Sequence, residues 1–275
     1  MLIRYGYAMT FDCAVDTPMA CLLDVHPSRA GDICREESFR ATPHTRSHRF
    51  QDAFGNRCRR FTAPAGRLTI CCDGAIEDSG LPDPVRPHAR ETPVADLPDD
   101  TLQFLLGSRY IETDLLSQTA WDLFGDVTPG WTRVQAICDF VHARLTFGYE
   151  NARATRTAAQ AFAERVGVCR DFAHLAIAFC RCMNLPARYC NGYLGDIGAP
   201  ANPAPMDFNA WFEVFLDGAW HTFDARHNAP RIGRILIARG RDATDVPLVN
   251  SFGPHNLASF EVWTEEVVEQ ARAAE

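Results

Sequence analysis

Lysine is absent from this chain: all 27 basic residues are arginine. The folded protein therefore offers no side-chain amine of its own as a cross-linking acceptor or for Schiff-base chemistry. A C-x-x-C pair is also missing, although there are 11 cysteines, so no structural zinc site is expected. No run of about 18 uncharged apolar residues occurs, and no membrane span is expected. The first residues, Met1 to Asp16, lack the continuous apolar core of a signal peptide, which points to a cytoplasmic protein. Basic residues are outnumbered by 35 acidic ones, giving a formal net charge of −8 with no arginine-rich run. That balance disfavours nucleic acid and anionic membranes as partners. No cofactor is implied, and the oligomeric state is left open.

What is present is an ordinary globular mixture, 47% hydrophobic and 23% charged. Its 275 residues allow one large domain or two moderate ones. The cysteines are odd in number and scattered. In a reducing compartment most serve as small buried hydrophobes.

The pattern divides the chain into residues 1–85, an all-β N-terminal domain, 86–100, a proline-rich linker, and 101–275, a core domain. The first part carries short β-favouring runs at 2–5, 20–25, 47–53 and 67–72. The stretch 81–100 has five prolines and many charges, so it can form neither a long helix nor a central strand. Helical periodicity follows at 101–106 (with Asp99 or Asp100 as a cap), 114–124, 131–145 and 158–165, the last capped by Thr157. The clearest helix follows Cys169, with Phe172, Leu175, Ala176, Phe179 and Met183 as one apolar stripe. Strands are expected at 187–192, 208–216, 219–224, 234–237 and 257–263. Helices followed by an antiparallel sheet make the core α+β.

Cys169 stands at a helix start, where unpaired backbone N–H groups and a partial positive charge stabilise a thiolate. Gly167 just before it lets another chain or a substrate approach the backbone. The same N–H groups suit an oxyanion hole. The plain alternative is a buried cysteine at a helix end, common in so cysteine-rich a chain.

Gly167-Val168-Cys169-Arg170-Asp171 is followed by Leu185-Pro186-Ala187-Arg188-Tyr189, then Ala210-Trp211-Phe212-Glu213-Val214, then Thr222-Phe223-Asp224-Ala225. Together these resemble the core of the bacterial transglutaminase-like superfamily of cysteine enzymes over roughly residues 100–250. The resemblance implies a papain-like arrangement of helices packed on an antiparallel sheet, preceded by a β-domain. It also implies a Cys nucleophile, a His base and an orienting Asp acting on amide or peptide carbonyls through a thioester. The nucleophile maps to Cys169 and the acid to Asp224. The histidine position holds Asn209, in Asp207-Phe208-Asn209-Ala210-Trp211 where the family pattern reads D-F-H-A-W.

An amide is no base near neutral pH, and losing general base catalysis costs about 10²–10⁴-fold. The chain thus reads as a peptidase, amidase or acyl transferase, or as an impaired relative that binds a peptide or protein partner. Trp211 is expected to wall the substrate cleft, and Tyr149 to support an oxyanion. As substitute bases, His221 and His174 face the wrong way by periodicity. His227 is not excluded, and Asp207 could reach the site through water. Arg226, Arg239 and Arg241 could bind a substrate carboxylate, although pairing with Asp242 or Asp245 is the simpler expectation.

Overall fold

The computed structural model describes residues 1–35, 38–200 and 204–267. The early part of the chain supplies β1 (Leu2–Cys13), β2 (Thr17–Cys21), β3 (Ile33–Arg35), β4 (Arg40–Thr42), β5 (Ser47–Gln51), β6 (Arg57–Ala63) and β7 (Gly66–Glu77). Then come α1 (Thr113–Phe124), α2 (Trp131–Arg144), β8 (Thr146–Phe147), α3 (Ala158–Glu164), β9 (Val166–Gly167) and α4 (Cys169–Cys182). The chain continues through β10 (Ala187–Tyr193), β11 (Asn209–Leu216), β12 (Ala219–Phe223), β13 (Ile235–Gly240), β14 (Val249–Ser251) and β15 (His255–Glu266). The result mixes helices with antiparallel sheets behind a strand-rich N-terminal region, as the resemblance implied.

Ile3, Tyr5, Tyr7, Met9, Phe11 and Cys13 alternate along β1 and are all buried, which is why the strand runs far beyond the expected 2–5. β1 pairs antiparallel with β7 on one side and with β15 on the other. β14 similarly joins β2, whose other neighbour is β6. Two strands from the far end of the chain therefore complete sheets begun at its start.

The second half is built on a sheet of order β12-β11-β10-β13. α4 lies against β10 and β11 on one side and against α1, α2 and α3 on others. Every residue from Asp171 to Cys182 is buried. The expected single apolar stripe is thus corrected: α4 is a central helix packed all round. α3 begins as expected, with Thr157 Oγ1 accepting from Gln160 N at 3.4 Å and Gln160 Oε1 accepting from Thr157 N at 3.2 Å.

Between the halves, 81–100 contains a 3-10 turn at Val94–Asp96 and the start of another at Asp99–Phe104. The second turn has Pro98 at its N-cap position with no side-chain cap, and Asp99 and Asp100 lie within its first turn. The stretch is firmly tied down. Glu91 accepts from Arg133 at 3.0 Å and from Gly130 N at 2.8 Å, and Asp83 accepts from Arg234 Nε at 2.8 Å.

Candidate active site

Cys169 is the first residue of α4 and lines an open cavity of about 610 Å³. Asp171 fixes this helix start. Its Oδ2 accepts from Val168 N at 3.0 Å and pairs with Arg156 Nη1 at 3.0 Å. A Cβ on Gly167 would come within 2.7 Å of the Asp171 Cβ. The space that glycine provides is therefore taken by Asp171, not left for a substrate.

The expected lowering of the thiol pKa is reversed. Burial pushes Cys169 up to about 11. The charge of Arg226 and the backbone N–H groups of Ala210 and Arg170 pull it down, but less strongly, while the Asp207 carboxylate adds to the rise. At neutral pH the group is a neutral thiol, with two backbone N–H groups close to its sulfur.

Asn209 opens β11 and lines the same cavity. Its Oδ1 accepts from Arg226 Nη1 at 2.8 Å, and its Nδ2 donates weakly to Leu194 O and Asp207 O at 3.4 and 3.3 Å. Among the described residues no hydrogen bond joins it to Cys169 or to Asp224.

Asp224 is buried just after β12. Its Oδ2 accepts from His227 Nδ1 at 2.8 Å and Arg234 Nη2 at 2.9 Å, while Oδ1 accepts from the backbone N–H of Arg226 and His227. Burial alone would raise its pKa. The Arg234 charge and the His227 contacts outweigh burial and hold it well below the usual carboxylate range. The expectation that Asp224 orients residue 209 directly is corrected: it fixes the turn that carries Arg226, and Arg226 holds Asn209. The Arg226 guanidinium lies 3.9 Å from the centre of the Phe147 ring.

Trp211 does not wall this cleft. Strand alternation sends Ala210, Phe212 and Val214 into the core that contains α4, whereas Trp211 packs with Cys190 and Leu236. It borders a separate cavity of about 490 Å³ shared with Glu213, Arg234 and Arg239.

Tyr149 stands beside the cleft, within electrostatic reach of Cys169 and hydrogen-bonded to Arg226. It lines a smaller cavity of about 140 Å³ with Asp207, Asn209, Arg226 and His227, and packs edge-on against Phe147. Its phenol is raised by burial and by the Asp207 charge. Arg241 pairs with Asp245 at 2.9 Å as expected. Arg239 instead pairs with Glu213 at 3.0 Å, and Arg226 has neither Asp242 nor Asp245 as a partner.

Sequence reasoning missed two contributors and misplaced a third. Asp83 acts through Arg234, across 151 residues. The Ala210 N–H is a backbone group that no side-chain pattern marks. Arg226 was noticed, but its position two residues beyond Asp224 was the unused signal for its place in the site.

Residues 118–225 match the sequence model of the transglutaminase-like superfamily. The chain carries a transglutaminase-like domain. A crystal structure named as a "Putative Cysteine Protease" from Cytophaga hutchinsonii superposes with a TM-score of 0.84 at 29% identity, covering 96% of this chain and 90% of that one. An uncharacterised protein of Mycobacterium leprae (strain TN) is 28% identical over 269 residues, 84% of each chain. Another from Mycobacterium bovis is 27% identical over 217 residues, 72% of this chain and 69% of its own. The transglutaminase-like match includes Cys169, Asn209 and Asp224 and ends at Ala225, immediately before Arg226 and His227. Among the described residues no helix is long and apolar enough to cross a membrane.

Proposed function

We propose that this protein is a thioester-forming cysteine enzyme in which Cys169 attacks amide or peptide carbonyls, with release by water or by an amine. The observation that carries the reading is the Cys169 thiol at the start of α4, opening on a cavity with the Arg170 and Ala210 N–H groups beside it. Those donors suit the oxyanion of a tetrahedral intermediate. Peptide and protein amides are the substrates that the open cleft admits. The eleven cysteines are all free, in keeping with a reducing, cytoplasmic setting.

One observation favours a second reading. Asn209 is held by Arg226 at 2.8 Å in the family's histidine position, which suits a relative that binds a peptide without turning it over.

p-Nitrophenyl acetate separates the two. The enzyme reading expects one acetyl group on the Cys169 peptide by mass spectrometry, with no such adduct in Cys169→Ala. An unmodified Cys169 after prolonged exposure, in a protein that retains its fold, supports the binding reading and ends the first.

A further inference from the structure

A neutral thiol needs a proton acceptor before it can attack, and position 209 supplies an amide. The histidines are engaged elsewhere. His174 Nε2 accepts from Ala243 N at 3.1 Å beneath the Tyr110 ring. His221 Nε2 contacts Leu216 O at 3.2 Å and packs against Trp131. His227 is bound through Nδ1 to Asp224 and lines the smaller cavity, not the one that holds Cys169. Among the described residues lining the Cys169 cavity there is no histidine, and the carboxylate is Asp207.

We propose that Asp207 is the proton acceptor for the Cys169 thiol, performing the step that the family pattern gives to a histidine at position 209. This rests on the thioester reading above. Asp207 lines both cavities, so it stands where the cleft of Cys169 meets the pocket of Arg226. Its Oδ1 accepts from Phe208 N at 2.7 Å, which fixes the carboxylate without neutralising it. Burial raises its pKa above the ordinary value, and the Phe208 N–H and Arg226 charge offset this only in part. A carboxyl so placed is a better proton acceptor than an exposed one. Mutual electrostatic influence links all three groups: Asp207 raises the Cys169 thiol, and Arg226 lowers it.

Other charged or titratable groups around Asp207 are Arg170 at the start of α4, Tyr149 and Arg153 before α3, Tyr189 on β10, Asp196 after β10, and His227 and Arg231 after β12. Arg153 pairs with Glu164, Arg170 with Asp171 and Arg231 with Asp196. Arg226 instead bonds the neutral Asn209, which leaves its charge to balance Asp207 and the sulfur.

The chemistry closes. As Sγ bonds to the carbonyl carbon, the thiol proton passes to the Asp207 carboxylate and the carbonyl electron pair moves to oxygen. When that intermediate collapses, the carbon–nitrogen bond breaks and the proton on Asp207 leaves with the amine. Water then attacks the thioester with the same carboxylate as base, and the thiol and a carboxylic acid are released.

The test uses the full chain and p-nitrophenyl acetate, whose leaving group needs no proton, with Asp207→Asn, Asp207→Glu and Cys169→Ala beside the native protein. Acetylation of Cys169 is followed from mildly acidic to strongly alkaline pH. The base works only when deprotonated, so the native rate should rise as Asp207 loses its proton, level off, and climb again as the thiol ionises toward about 11. Asp207→Asn, whose amide oxygen can still accept from Phe208 N, should lower the plateau by about 10²-fold or more and abolish the first rise. Asp207→Glu should retain part of the rate.

A native profile without the lower rise, or Asp207→Asn acetylated as fast as native, overturns the proposal while leaving the thioester reading intact. No acetylation of native Cys169 at any pH overturns both.

Discussion

The two ends of α4 are finished in opposite ways. At the C-terminal end the chain closes on itself: Asn184 adopts a left-handed φ of 62°, and the N–H groups of Met183, Asn184 and Leu185 donate to the carbonyls of Phe179, Arg181 and Cys180. Arg181, buried in the last turn, donates to the carbonyls of Leu106, Ala187 and Arg241 and locks the end to the start of β10 and to two distant segments. Burial lowers its pKa to about 10, so it remains charged. At the N-terminal end, Asp171 caps only Val168, and the Arg170 N–H is left beside the sulfur of Cys169. One end is locked into the fold and the other is left open at the cavity. Position at a helix start does not by itself make a thiolate, because desolvation at Cys169 outweighs the donors there.

This contrast can be challenged in descending order of effect. Asp171→Ala removes the N-terminal cap and one of the two carboxylates paired with the buried Arg156, leaving Glu164, and should cost about 3 kcal/mol in urea unfolding. A loss below about 1 kcal/mol would mean that the open end needs no anchor. Asn209→His should raise Cys169 acetylation by at most about 10²-fold, the low end of general base catalysis. The gain is limited because Asp224 is committed to His227 and Arg234 and cannot orient the new imidazole. A gain near 10⁴-fold in the same assay would show that the site needs only its histidine. Asn184→Ala at the closed end should cost about 1 kcal/mol, since alanine has no side chain to ease a left-handed backbone. Asn184→Gly should leave unfolding unchanged or slightly improved.

Much of this arrangement is legible in the sequence because it follows from short-range chemistry. The helices at 114–124, 131–145 and 158–165, the Thr157 cap and the Cys169 helix start all follow from periodicity and capping residues, and α1 to α4 lie close to those bounds. The spaced motifs gave the fold of the core and placed Cys169 and Asn209 at one cavity. What escaped depends on contacts between distant segments. Trp211 looked like a cleft wall because its motif adjoins position 209, but alternation along β11 turns it away. The thiol pKa depends on how much of Cys169 is buried by β11 and its neighbours, which no local pattern encodes. Asp83 lay in the proline-rich stretch 81–100, which promised neither a long helix nor a central strand, yet its carboxylate helps to hold Arg234 against Asp224.

The pairing of β1 with β15 bears on how the chain is made. The ladder spans Ile3 to Cys13 on one strand and His255 to Glu266 on the other. During synthesis from the N-terminus, β1 and β7 emerge more than 170 residues before their last neighbour. Until translation reaches β15, the outer edge of β1 offers a long row of unsatisfied backbone groups to any passing strand. While residues 78–254 are being made the nascent sheet therefore has an open seam, and β15 acts as the fastener.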